Sequence, residues 1–196
     1  MIAVVDYGCG NIFSVKNALN FLNCEHILTA DRNKLEKADK IILPGVGAAP
    51  KAMQKLNALG LTVFLREQEK TLLGICLGMQ LLFDYSDELG GTECLKLIPG
   101  RVEKMADTGL LLPQMGWNNL KTQNDDPVLE GVAEPYVYFV HSYKAVCEEK
   151  YIVSYCEYGE KIPAIVRNNN VTGMQFHPEK SAEEGLKMLK NFIEGK

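Results

Sequence analysis

The sequence predicts a single α/β layered domain, with a central, mostly parallel sheet, helices on both faces and an antiparallel extension. Three observations carry that expectation. In the first half, short β-branched apolar runs alternate with stretches of helical periodicity, as in parallel strands joined by crossover helices. In the second half the apolar runs are short and separated by Gly, Pro, Asn and Asp, which favours antiparallel pairs. The chain of 196 residues, 46% apolar and 23% charged, has the size and composition of one domain with a sizeable core.

Taken in order, Ile2–Val5 is an apolar run closed by Asp6-Tyr7-Gly8, the pattern of a strand buried on both faces. A helix follows, capped by Asn11, with Ile12, Val15, Leu19 and Leu22 on one face. Residues 25–29 read as a second strand, and residues 40–43 as a third that ends at Pro44-Gly45, with no helix expected between them. Residues 49–68 are helical with a break at Gly60, 71–75 return to a strand, and 77–83 form an apolar helix. Residues 97–105, 110–112, 136–143, 151–157, 162–167 and 171–176 are the strand candidates of the second half. Ser181 is placed to cap a last helix with Glu184 completing a capping box, and Leu186, Leu189 and Ile193 give its inner stripe. No repeat or linker divides residues 1–196.

Composition narrows the function. A net charge of −4 argues against nucleic acid or an anionic membrane surface as the main partner. The start lacks a basic leader and no apolar run approaches the roughly 18 residues of a membrane span, so a cytoplasmic protein is expected. Cys9, Cys24, Cys76, Cys94, Cys147 and Cys156 are scattered without a CxxC pair, which reads as free thiols with neither disulfides nor a zinc site. Gly8-Cys9-Gly10 starts like a dinucleotide fingerprint, but the third glycine of that pattern falls on Phe13, so no nicotinamide or other cofactor is expected.

The sharpest chemical signal is Gly74-Ile75-Cys76-Leu77-Gly78, of the form Gly-x-nucleophile-x-Gly, at a strand-to-helix junction. Glycines there remove the Cβ atoms that would collide in a tight elbow, and the helix N-terminus favours thiolate over thiol. The N–H of Leu77 is then a candidate oxyanion donor. Of the three histidines, His177 is the best base, because Glu179 lies two residues on, where an extended segment puts both on one side, and Pro178 keeps His177 extended. His141 is a rival base without a nearby acid and is expected to support the site, while His26 sits mid-strand as a structural residue. Gly45, Val46 and Gly47, at the end of the third strand, can bring a second backbone donor to the oxyanion, or form a plain turn. Gln80 is one helical turn beyond Cys76 on the same face.

Together, Asp6-Tyr7-Gly8-x-Gly10-Asn11, Pro44-Gly45-Val46-Gly47, Gly74-Ile75-Cys76-Leu77-Gly78-Met79-Gln80, Met115-Gly116-Trp117-Asn118 and His177-Pro178-Glu179-Lys180 resemble the class I, Cys-His-Glu glutamine amidotransferases. The resemblance implies a flavodoxin-like fold and a glutaminase in which Cys76 attacks the glutamine side-chain amide, His177 transfers protons and Glu179 orients His177. It further implies an oxyanion hole around Val46 and Leu77, and contacts to glutamine from Gly47, Gln80, Ser142 and Tyr143. The Tyr-Gly-x-Gly-Asn and Met-Gly-Trp-Asn segments point to the branch whose members form heterodimers with a (β/α)8 cyclase subunit in histidine biosynthesis. There Asn11, Met115, Gly116, Trp117, Asn118 and Lys180 meet the partner. Gln114 stands where many members carry histidine. Two other readings fit the same motifs: a paralogue supplying ammonia to another acceptor such as a surface sugar, and a non-catalytic module of the same fold. An unrelated cysteine hydrolase is a third.

Overall fold

The computed structural model describes residues 1–132 and 135–195. The first half runs β1 (Ile2–Val5), α1 (Ile12–Phe21), β2 (His26–Thr29), α2 (Arg32–Lys37), β3 (Lys40–Gly45), α3 (Ala49–Ala58), α4 (Leu61–Glu67), β4 (Thr71–Cys76) and α5 (Leu77–Gln80). The second half holds the short strands β5 (Tyr85–Ser86) and β6 (Thr92–Glu93), then β7 (Arg101–Lys104), β8 (Gln114–Asn119) and β9 (Lys121–Thr122). It closes with β10 (Tyr136–His141), β11 (Tyr143–Val146), β12 (Ile152–Glu157), β13 (Lys161–Asn168), β14 (Val171–Met174) and α6 (Ala182–Glu194).

The main sheet has the order β2-β1-β3-β4-β14-β13-β12-β9. Its pairs from β2 through β14 are parallel and those from β14 outward are antiparallel, so the expected mixture is present within one sheet. Successive residues of the inner strands feed opposite faces, as the pleat requires. Ala3, Val5, Ile41, Leu43 and Leu72 pack beneath α2, α3 and α4, through Leu35, Met53, Leu56, Phe64 and Leu65. Ile2, Val4, Ile42, Leu73 and Ile75 pack beneath α1 and α6, through Val15, Leu19, Met188, Leu189 and Phe192. Two cores therefore grip the sheet and leave the C-terminal ends of β3, β4 and β14 side by side. A pair, β10 with β8, and a four-stranded sheet, β11-β7-β5-β6, lie beside it.

Several expected elements differ. The unexpected helix α2 fills the gap between β2 and β3, with Asp31 accepting from the N–H of Asn33 at its N-terminus. The helix expected over 77–83 stops after one turn, because the carbonyls of Leu81, Leu82 and Phe83 accept from the N–H groups of residues 95–98 and cannot continue a helical ladder. The strand expected over 97–105 begins only at Arg101, after Gly100 at φ 137° exchanges hydrogen bonds with Asp84. Residues 110–112 form no strand; they lie exposed or half-buried beyond Gly109, and the segment that pairs is β8, just after Pro113. The run over 136–143 divides at Ser142, where the chain passes from β8 as neighbour to β7.

Ser181 does not close a capping box. Its Oγ donates to the carbonyl of His177 at 2.6 Å and accepts from the N–H of Tyr138 at 3.0 Å, which ties the segment after β14 to β10. The stripe of α6 is made by Gly185, Met188, Leu189 and Phe192, with Leu186 and Ile193 at its margin. Among the described residues, no helix is long and apolar enough to cross a membrane.

Candidate active site

The site begins with the elbow between β4 and α5. Cys76 adopts φ 55° and ψ −110°, a conformation that L residues rarely occupy and that only a fully constrained turn holds. The constraint is visible in the glycines. A Cβ on Gly74 would lie 2.6 Å from the carbonyl oxygen of Gly78, and one on Gly78 would lie 1.8 Å from that of Leu43. Gly45, paired in register with Cys76, has no room either, since its Cβ would meet the Tyr7 hydroxyl at 2.8 Å and the Gly78 nitrogen at 2.9 Å. Tyr7 is buried and donates its hydroxyl to the Pro44 carbonyl at 3.0 Å, holding the end of β3 against the elbow.

The imidazole arrives from β14, which pairs with β4 so that Met174 lies beside Ile75. His177 is buried, and its N–H donates to the carbonyl of Tyr138 at 3.0 Å. Its Nδ1 lies 2.9 Å from Glu179 Oε1, in a pair of side chains almost wholly removed from solvent. The expected neighbours are present, but Pro178–Lys180 is a 3-10 turn, so the contact comes from that turn and not from an extended segment. Glu179 can therefore fix Nδ1 as the protonated nitrogen and leave Nε2 for chemistry. That Nε2 has no hydrogen-bond partner among the described residues. Burial lowers the affinity of His177 for a proton, yet the neighbouring Cys76 sulfur and the Glu179 carboxylate outweigh it and raise the pKa to about 9.

Both side chains face a cavity of about 440 Å³, which Val46, Gly47, Leu77, Gln80, Ser142 and Tyr143 also line. Gly45 does not line it but is paired in register with Cys76. The structure thus gathers at one opening the residues that the sequence placed in the nucleophile, base, oxyanion and substrate groups. A larger hollow, about 840 Å³, lies between α1 and α6, but Phe21, Leu22, Leu186 and Lys190 around it include no nucleophile or imidazole. Chemistry and not volume identifies the site.

His141 is also at the cavity, in the supporting place expected of it. Its Nδ1 lies 2.8 Å from the carbonyl of Tyr143, and burial, with His177 nearby, lowers its pKa to about 4. It is a neutral imidazole at physiological pH and not a competing base. His26, half-buried, lies with Nδ1 2.9 Å from the Cys24 carbonyl, far from this chemistry. The cysteines are all free. Burial pushes the thiols of Cys94, Cys147 and Cys156 up to about 12, 11 and 11, which keeps them protonated and inert.

The surface residues expected to meet a partner fall on neighbouring elements. Asn11 caps α1, accepting from the Ser14 N–H at 3.4 Å, and α1 packs against the turn that carries Glu179 and the exposed Lys180. Met115 and Trp117 are 65% and 42% exposed on β8, flanking Gly116, whose surroundings are open. The Trp117 ring stacks on Tyr136 at 5.7 Å. Asn118 is partly engaged, donating to the Glu157 carbonyl at 2.9 Å. Gln114 is buried opposite His141, with its Nε2 3.7 Å from Cys156 Sγ.

Besides Pro113, which also lines the cavity, three site residues escaped the sequence reading. Val140 offers its carbonyl to Cys76 Sγ at 3.9 Å, and Glu88, at the cavity wall, accepts from the Ala49 N–H at 2.8 Å. Neither leaves a local signature. Gln175 did leave one, as an amide in an apolar strand end two residues before His177.

An elbow cysteine, a carboxylate-held imidazole and a doubly wound sheet together define an α/β protein with a cysteine nucleophile. The chain belongs to the class-I glutamine amidotransferase family, whose profile matches residues 3–195. It is 47% identical to the imidazole glycerol phosphate synthase subunit HisH of Bacillus cereus, over 98% of this chain and 93% of that protein. It is 52% identical to the same subunit of Exiguobacterium sibiricum, over 99% and 95%. Among solved structures, a glutamine amidotransferase superposes with a TM-score of 0.78 at 21% identity, covering 99% of this chain and 98% of that one, which shows the common fold.

Proposed function

We propose that this chain is the glutaminase subunit of imidazole glycerol phosphate synthase, hydrolysing glutamine to glutamate and ammonia and passing the ammonia to a (β/α)8 cyclase subunit in histidine biosynthesis. The near full-length identity to HisH proteins supports the assignment. The observation that carries the chemistry is His177, held by Glu179 at 2.9 Å, with Nε2 unpartnered at the cavity that Cys76 lines.

Cys76 sulfur attacks the side-chain carbonyl carbon of glutamine, having given its proton to His177. The tetrahedral oxyanion is met by backbone N–H groups at Val46 and Leu77. As the C–N bond breaks, His177 returns the proton to nitrogen and ammonia leaves, with a γ-glutamyl thioester on Cys76. His177 then takes a proton from water, the resulting hydroxide attacks the thioester, and glutamate departs as the thiol is restored. Glu179 holds the imidazole throughout. Gly47, Gln80 and the Ser142-Tyr143 backbone hold the glutamine.

Ammonia released into neutral water is protonated and ceases to be a nucleophile, so a docked acceptor enzyme with a dry passage follows from the chemistry. Asn11, Met115, Gly116, Trp117, Asn118 and Lys180 form the docking face of a cytoplasmic heterodimer, in which residues 1–196 act as one glutamine amidotransferase domain. The test is reconstitution with the cyclase subunit and measurement of glutamate release. The wild type turns over, Cys76→Ala loses at least about 10⁴-fold, and Cys9→Ala keeps most activity. Absence of glutamate release by the wild-type complex rejects the assignment.

A further inference from the structure

The nucleophile has a neighbour outside the triad. Gln175 is fully buried after β14, and its Nε2 lies 3.9 Å from Cys76 Sγ. Its Oε1 accepts from Gln80 Nε2 at 2.9 Å, and the same Gln80 nitrogen donates to the carbonyl of Tyr143 at 3.1 Å. This chain has only one consistent direction. A backbone carbonyl can only accept, so Gln80 must turn its NH2 group towards Tyr143. Gln175 must then answer that NH2 with its oxygen, which leaves its own NH2 facing the sulfur. One carbonyl thus dictates that a donor, and not an acceptor, is delivered to Cys76.

We propose that Gln175 is a positioning residue for the nucleophile: its amide, aligned through Gln80 by the Tyr143 carbonyl, holds the Cys76 sulfur and favours its ionised form. The inference rests on Cys76 being the nucleophile of the proposed glutaminase. Apart from His177, the sulfur has two polar neighbours, and they divide by protonation state. A thiol can donate to the Val140 carbonyl, 3.9 Å away, whereas a thiolate has no proton to give and is served by Gln175. The donor is neutral, so it favours the ionised sulfur without adding a second cation to compete with the His177 imidazolium. Gln175 also shares the strand end that delivers His177, so nucleophile and base are set from one segment.

The experiment uses iodoacetamide on the full chain, with labelling of Cys76 followed by peptide mass analysis from about pH 5 to about pH 10. Gln175→Met preserves length and removes the donor, and Gln80 keeps the Tyr143 carbonyl as its acceptor. It should raise the labelling midpoint by about one pH unit and, in the reconstituted complex, lower kcat about tenfold with KM within about twofold. Gln175→Glu keeps an acceptor for Gln80 but sets a negative charge beside the sulfur, and should move the midpoint further in the same direction. A purely structural role would lower thermal stability without moving the midpoint. Wild-type midpoints in both variants overturn the inference. Should either variant fail to fold, the Gln175 side-chain amide resonances of the wild type decide: they should shift as Cys76 titrates and not in Cys76→Ser, and a flat response overturns it. The underlying reading fails separately, if Cys76→Ala in the complex still releases glutamate.

Discussion

The floor of the catalytic cavity and its rim are built to opposite rules. On the floor every group is held from several sides. Gly74 and Gly78 fit backbone against backbone, Cys76 is fixed in a strained conformation, and His177 is tied through Tyr138 and Ser181 to β10. On the rim, Val46 is exposed and Gly47 has no atom near where a Cβ would be; on β8, which continues outward from the cavity's Pro113, Gly116 is equally open and Met115 and Trp117 face outward. Proton transfer demands placement within a fraction of an ångström, which close-packed strand ends provide. A surface that meets substrate or a second protein must instead be left unfilled.

The contrast breaks most visibly at two glycines. In Gly78→Ala the new methyl would lie 1.8 Å from the Leu43 carbonyl oxygen, and neither backbone can retreat without moving β3 or the elbow. We expect a loss of about 4 kcal/mol or more by chemical denaturation, with glutaminase activity lost alongside it. Gly47→Ala meets nothing and pays only for its φ of 98°, about 1–2 kcal/mol. Equal costs at the two positions would erase the distinction between floor and rim.

The two cavity histidines sharpen it through pH. His177 holds its proton up to about pH 9 when folded, against about 6.5 when unfolded. The native state therefore binds the extra proton between those values, and this contribution to stability is full below about 6.5 and lost as pH rises through about 9. His141 is the reverse: its folded value of about 4 means that the unfolded chain takes up the proton first, so its contribution is full above about 6.5 and lost as pH falls towards 4. Each limb is about 3 kcal/mol. In denaturation series across this range, His177→Asn should flatten the alkaline limb and His141→Asn the acid limb; a variant that flattens the wrong limb contradicts the assignment of charge.

Glu179→Gln separates orientation from charge. The amide oxygen can still accept from Nδ1, so His177 keeps its place while losing the carboxylate that favours its imidazolium. About thirtyfold in kcat is expected, with the alkaline limb of the kcat profile moving to lower pH. A variant as active as wild type, with an unmoved profile, would mean that geometry alone suffices.

The floor was legible in the sequence because packing leaves marks there: glycines flanking Cys76, proline after His177, and unbroken apolar runs for β3 and β4. Its helix was overextended, because nothing in 77–83 reveals that residues 95–98 take the carbonyls of Leu81, Leu82 and Phe83. The helix α2 was missed because Leu35 is its one buried residue and the Asp31 cap its main signal. Ser181 resembled a cap since Ser-x-x-Glu is local, whereas its partners, Tyr138 and His177, are set by tertiary contact. The strand β8 escaped because of its burial pattern. Its alternation is inverted, with Gln114 buried and Met115 and Trp117 outward, so a rule that turns apolar residues inward reads it as no strand.

That inversion leads to the smallest expected effect and the one that tests the rim most directly. Trp117 covers Tyr136 at 5.7 Å and meets Tyr138 edge-on at 6.2 Å, so it is a rigid aromatic platform that contributes little to either core. Trp117→Ala should cost the fold no more than about 1 kcal/mol. Against the proposed cyclase partner, titration calorimetry should show Kd weakened about tenfold to a hundredfold, about 1.4–2.8 kcal/mol. Phe21→Ala is the control, since Phe21 is 73% exposed but lies against the α1–α6 hollow, and exposure alone should not weaken binding. If Phe21→Ala weakens the complex and Trp117→Ala does not, the outward residues of β8 are not the docking face, and the openness of the rim serves substrate entry alone.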